Sequence, residues 1–224
     1  MNKRSFEIKS GIKLHLIETD FFKTNLVCVI ITVPLKEEIV TKNALIPFVL
    51  RRGTSDYKTQ IELNNKLEYL YGANFDCGID KIGDNHVLKF YIESIDNEYS
   101  FYNEDVLENS VDLLLKIVFD PLKINGNLSN DFVDNEKETL RKVIESKIDD
   151  KDSYAVSQCV YNMYDKKGYG LYKYGDVKYL DEIDEVNLTK YYNELINTCK
   201  IDIYVSGKFE KEDIKKNSQI CENV

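Results

Sequence analysis

Between Leu26 and Pro34 the chain reads LVCVIITVP, apolar and largely β-branched. Branched side chains are stiff at χ1, which crowds a helix but suits a pleated surface, so the run predicts a strand. Even extended to Leu35 it falls far short of the ~20 apolar residues that a membrane-spanning helix needs. With almost no polar alternation it reads as a central strand buried on both faces. A chain built around such a strand needs neighbouring strands on either side and helices to cover them.

The neighbours are legible. Phe6-Glu7-Ile8 and Ile12-Lys13-Leu14-His15-Leu16 alternate at period two around Gly11, which predicts an opening strand pair. A helix is expected from about Val40 to Arg52, stopping at Gly53. A second is expected from Thr59 to Tyr71, with Ile61, Leu63, Leu67 and Leu70 inward and Gly72 as its C-terminal cap. Ala73–Ile82 and His86–Ile95 predict two strands joined at Gly83-Asp84-Asn85. Helical spacing then covers Asn103–Phe119, Ser129–Ile148, Tyr154–Tyr164 and Asn187–Ile196, before a last strand, Ile201–Val205, leads to Gly207. This order predicts an α+β fold, a mainly antiparallel sheet with helices packed on one face. Residues 1–209 form one domain, and 210–224 a polar tail or the start of a linker to a second half.

The charge balance narrows the function. Asp and Glu number 39 against 30 Lys and Arg, with no basic stripe to displace counterions from phosphate, so nucleic acid and anionic membrane surfaces are excluded as partners. The segment Met1-Asn2-Lys3-Arg4-Ser5-Phe6-Glu7 has no apolar core of an export signal. Five scattered cysteines without a CxxC pair read as reduced thiols, and the expected location is cytoplasmic. The two histidines, His15 and His86, have no acidic or cysteine partner at ligand spacing and read as structural. There is no GxSxG, P-loop or other cofactor motif.

The informative segment is Asn43-Ala44-Leu45-Ile46-Pro47-Phe48-Val49-Leu50-Arg51-Arg52-Gly53-Thr54. Alone it is equally an ordinary amphipathic helix. It resembles the first helix of the pitrilysin/insulinase metallopeptidases, where an inverted zinc motif, HxxEH, leads through an apolar pair and a basic residue into Gly-Thr. Anchored on Arg52-Gly53-Thr54, the resemblance puts the two family histidines at Ala44 and Phe48 and the glutamate at Pro47. In active members the histidines hold zinc and the glutamate activates the metal-bound water. Positions i, i+3 and i+4 share one helix face, which is why that spacing works. Ala, Pro and Phe can neither ligate zinc nor take a proton, so the expectation is a catalytically silent homologue with no catalytic residue, no metal and no cofactor. Pro47 is tolerated without cost only in a first turn, so the helix is expected to start near Thr41–Ala44 or to bend at Pro47.

Further segments follow in family order. Leu67-Glu68-Tyr69-Leu70-Tyr71-Gly72-Ala73-Asn74-Phe75 is similar to the family's helix-to-strand turn, and Asp120-Pro121-Leu122 to the loop after the next helix. Asp131-Phe132-Val133-Asp134-Asn135-Glu136-Lys137-Glu138 is similar to the helix carrying the third zinc ligand, which matches Glu136. Two readings of Glu136 stay open: a relic of the metal site, or a first-turn acid favoured by the helix dipole at the edge of the apolar stripe. Asp149 to Ala155, Tyr169-Gly170 to Gly175 and the strand to Gly207 complete the likeness, which runs from about residue 5 to 209 and is nearest to the bacterial YfmF-like subgroup, also lacking the zinc motif. The resemblance implies a non-catalytic half that pairs with a homologous half or chain, one bearing an intact HxxEH motif included, to hold peptide or support a partner. The alternative is a zinc peptidase with displaced or partner-completed ligands.

Overall fold

A computed structural model of the chain describes residues 2–101, 104–165 and 167–208. The expected tail from residue 210, Cys221, and Asn103 at the head of one expected helix lie outside these. The chain opens with β1 (Asn2–Lys9), β2 (Ile12–Glu18) and β3 (Thr24–Pro34), then α1 (Glu37–Leu50) and α2 (Gln60–Tyr69). The hairpin β4 (Asn74–Ile82) and β5 (Asn85–Ile95) precedes α3 (Val106–Phe119). A short ribbon, β6 (Lys123–Ile124) with β7 (Asn127–Leu128), leads into α4 (Asn130–Glu145), α5 (Lys151–Met163), α6 (Val177–Asp181), α7 (Glu185–Thr198) and β8 (Lys200–Gly207).

Six strands form one sheet in the order β1-β2-β8-β3-β5-β4. Every pairing is antiparallel except β2 with β8. The α+β class, with its mainly antiparallel sheet, is as the sequence predicts. One face of the sheet presents Leu14, Leu16, Val29, Ile31, Phe90 and Ile203, all buried, and α1 and α3 lie against it. The other face carries Lys13, Cys28, Lys89 and Tyr204, exposed or half-buried. That face corrects the expectation for β3. Its burial alternates residue by residue, and Leu26 is 41% exposed, because helices cover only one side of the sheet. Among the described residues no helix is long and apolar enough to cross a membrane.

α1 is enclosed on several sides. Val40, Thr41, Asn43, Ala44, Leu45, Ile46, Pro47, Val49 and Leu50 are all buried, since β4 and β5 lie on one side and α4, α6 and α7 on others. It begins at Glu37, earlier than expected, so Pro47 sits well inside it rather than in the first turn. An interior proline costs about 3 kcal/mol or more. Burying Val40, Leu45, Ile46, Val49 and Leu50 contributes roughly 1.5–3 kcal/mol each, which outweighs that cost. α2 starts behind Thr59, which forms a reciprocal capping box with Glu62. Leu63, Leu67 and Leu70 are buried as expected, but Ile61 is 73% exposed: it lies on the solvent side of a short, ten-residue helix that needs only a narrow apolar stripe. The five-residue α6 was not foreseen, being too short to show a period.

His86 is 0% exposed, neither ring nitrogen has a hydrogen-bond partner, and burial pushes its pKa down from 6.5 to about 4. The unfolded chain therefore takes up a proton below about pH 6.5 that the folded chain refuses until about pH 4. Stability is full above that window and falls as pH drops through it, by up to about 3 kcal/mol. Urea denaturation of wild type and His86→Leu at pH 7 and pH 4 should show the variant gaining about that much relative to wild type at the lower pH. Parallel profiles would contradict the assignment.

Candidate functional site

The helix face matched to the family motif points into the protein. Ala44 and Pro47 are buried and Phe48 is half-buried in the main core cluster. The Pro47 carbonyl accepts a bond from the thiol of Cys77 on β4 at 3.3 Å. Burial pushes that thiol up to about 12, so it is uncharged at neutral pH.

After α1 the chain makes a tight corner. A side chain at Gly53 would bring its Cβ within 2.8 Å of the Tyr57 carbonyl, so only glycine fits without a shift. Thr54 N–H donates to the Tyr57 carbonyl at 2.7 Å, and its hydroxyl accepts from Tyr57 N–H at 3.0 Å. Leu122 N–H donates to the Gly53 carbonyl at 3.2 Å, and Thr54 bridges Pro121. The corner thus ties Gly53-Thr54 to Asp120-Pro121-Leu122, two motif segments far apart in sequence.

The corner also aims Arg52. Its Nε and Nη2 engage Oε1 of Glu136, and Nη1 donates to Oε1 of Gln60 at 2.7 Å. Glu136 lies in the second turn of α4 and is only 2% exposed, so it is neither a first-turn acid nor at the edge of the stripe. A buried carboxylate needs a counter-charge, and Arg52 supplies it with two N–H groups in a fixed fork. The structure thus brings Pro47, Cys77, Arg52 and Glu136 into one neighbourhood.

This neighbourhood does not fit zinc. The side chains of Ala44, Pro47 and Phe48 offer no donor atom, the Cys77 thiol is turned to the Pro47 carbonyl, and the one carboxylate is held by a guanidinium that would repel a dication. Among the described residues no three His, Cys, Asp or Glu side chains come together as a metal site.

No family model matches the chain. It is 30% identical over 212 residues to a Bacillus subtilis (strain 168) protein described as a probable inactive metalloprotease, YmfF, covering 93% of this chain and 50% of that one. A crystal structure of a conserved protein from Enterococcus faecalis V583 superposes with a TM-score of 0.90 at 28% identity, covering 99% of this chain and 52% of that one. A Pseudomonas fluorescens structure described as a peptidase M16 inactive domain gives 0.75 at 17% identity, with 98% and 50% covered. The chain matches one half of inactive M16-like peptidase homologues. It spans about half the length of these relatives, in the fold of the pitrilysin-type peptidases.

In this M16-like half one polar cluster escaped the sequence reading. On the sheet face away from α1, Ser5 Oγ lies 2.8 Å from His15 Nδ1, and His15 Nε2 lies 2.9 Å from Asp202 Oδ1. The Tyr204 ring stacks on His15 at 4.6 Å. The cluster ties β1, β2 and β8 together across the sheet. His15 and Asp202 are 187 positions apart, so no spacing could have revealed the pair.

The buried ion pair makes a measurable claim. Arg52→Met leaves Glu136 buried without its counter-charge and should destabilise the fold by about 2–4 kcal/mol in urea denaturation, whereas Arg52→Met with Glu136→Leu should recover most of that loss. If the double variant is no more stable than the single, Glu136 does not depend on Arg52.

Proposed function

We propose that this chain is the catalytically silent half of a two-half M16-type assembly, in which it holds peptide and supports a second, homologous half carried on the same or another chain. The Arg52–Glu136 pair carries the reading: the position that would complete a zinc site is occupied electrically by an internal cation. Ala44, Pro47 and Phe48 support it by packing where donors would be. The half-length match to M16-like relatives supports the pairing, and an HxxEH-bearing half is the partner that would make such a pair an enzyme. Cys28, Cys77, Cys159 and Cys199 are free thiols, which suits a reducing, cytoplasmic setting.

The deciding measurement is the zinc content of the tag-free protein after equilibration with zinc and desalting, together with peptidase assays with and without a chelator. Less than about a tenth of an equivalent, with no chelator-sensitive cleavage, is expected for a site lacking three ligands. Near-stoichiometric zinc with zinc-dependent cleavage would establish the displaced-ligand peptidase instead. For the pairing, sedimentation of the protein mixed with an HxxEH-bearing M16 half should show a heterodimer; sedimentation as separate species would remove the partner role.

A further inference from the structure

At the far end of the α1–α4 pair from Glu136, the chain forms a cleft of about 200 Å³. Glu37 and Val40 of α1, Lys147 in the turn after α4, and Leu171, Tyr172 and Asp176 line it. A second hollow adjoins it, sharing Lys147 and Tyr172.

The wall formed by residues 169–176 is held in place. Lys81 Nζ donates to the carbonyls of Tyr169 and Leu171, both at 2.7 Å, and Lys173 Nζ donates to the Ile79 carbonyl at 3.2 Å. Gly175, at φ +81°, closes on α1 so tightly that a Cβ would lie 2.0 Å from Thr41 Oγ1. That hydroxyl accepts the Asp176 N–H at 3.2 Å. The cleft is therefore preformed, and little ordering cost remains for a ligand.

Its charges are unevenly satisfied. Glu37 accepts from Lys178 Nζ and from the Tyr179 hydroxyl, each at 3.0 Å. Asp176 caps α6 by accepting the Lys178 N–H at 2.9 Å. Lys147 has no such partner: among the described residues no carboxylate lies within 4 Å of its ammonium, which sits 4.2 Å above the Tyr172 ring and 5.7 Å from that of Tyr154. Burial lowers its pKa, against the pull of Asp176. A half-dried ammonium resting on ring faces keeps its N–H groups for an anion. The carboxylates of Glu37 and Asp176 in the same cleft disfavour a dianion such as phosphate. The apolar Val40 and Leu171 and the small volume suit a single terminal residue rather than a long segment.

We propose that this cleft captures the C-terminal carboxylate of a peptide ending in an apolar residue, with Lys147 as counter-ion and the Tyr172 ring as the support that fixes it. The choice of a peptide over another monocarboxylate rests on the peptide-holding reading above; the anion site itself does not.

The test is calorimetric titration of the purified chain with acetyl-Ala-Ala-Leu as the free acid, the same peptide as its C-terminal amide, acetate and inorganic phosphate. The acid should bind at least tenfold more tightly than the amide, acetate and phosphate. Lys147→Met should weaken the acid at least tenfold while leaving the amide unchanged, and Lys147→Arg should retain binding; Lys147→Gln replaces the methionine variant if that one misfolds. Equal binding of acid and amide, undiminished binding by the neutral variants, or tighter binding of phosphate would each overturn the proposal. Acetate binding as tightly as the peptide acid would overturn the peptide assignment. None of these results bears on zinc content, so the metal measurement fails or stands separately.

Discussion

A helix without a polar face can exist only where protein surrounds it, and the architecture follows from enclosing α1. The sheet covers one side through β4 and β5, and α4, α6 and α7 cover others. The enclosure explains how Pro47 survives mid-helix and why Gly53 and Gly175 close the chain against its two ends. It also dictates that any carboxylate brought against α1 must bring its own counter-charge.

That requirement is met differently by a metal and by a side chain. In a metal site, cation and ligands are mutually stabilising and leave coordination positions open for chemistry. Here Arg52 is a cation delivered covalently by the chain itself, with Nε and Nη2 engaging Glu136 and Nη1 donating to Gln60. A guanidinium cannot polarise a water as zinc does, because it never deprotonates and has no vacant coordination position. Arg52 thus closes the electrostatics around Glu136, and the cleft lined by Lys147 lies away from it.

How much of this the residues announce depends on the range of the interaction. The six strands of the main sheet, the helices α2 to α5 and α7, and the α+β class were legible because period and caps are local; the two-residue β6 and β7 are too short to show either. The strand at Leu26–Pro34 misled about its second face, since an apolar residue such as Leu26 can be left in the open and composition alone does not say which side helices will cover. Ile61 misled for the same reason. The start of α1 was placed late because proline's local preference was weighed without the burial that overrides it. Positions 44, 47, 48 and 136 were marked only by their resemblance to the family motif. The partner of Glu136 was not, since nothing local marks Arg52, rather than Arg51, as the residue that turns inward. His15 with Asp202, and Lys147 with Tyr172, likewise exist only once distant segments are folded together.

The position of β8 has a consequence for the living chain. The strand Lys200–Gly207, the last among the described residues, lies inside the sheet, parallel to β2 on one side and antiparallel to β3 on the other. A ribosome must release nearly the whole domain before that slot is filled, and until then two long rows of unpaired backbone groups face water on an apolar sheet. Synthesis therefore passes through a stage in which the first hairpin has no place to dock. The nascent polypeptide needs shielding during that interval, and a stop codon placed just before Lys200 would strand it there permanently.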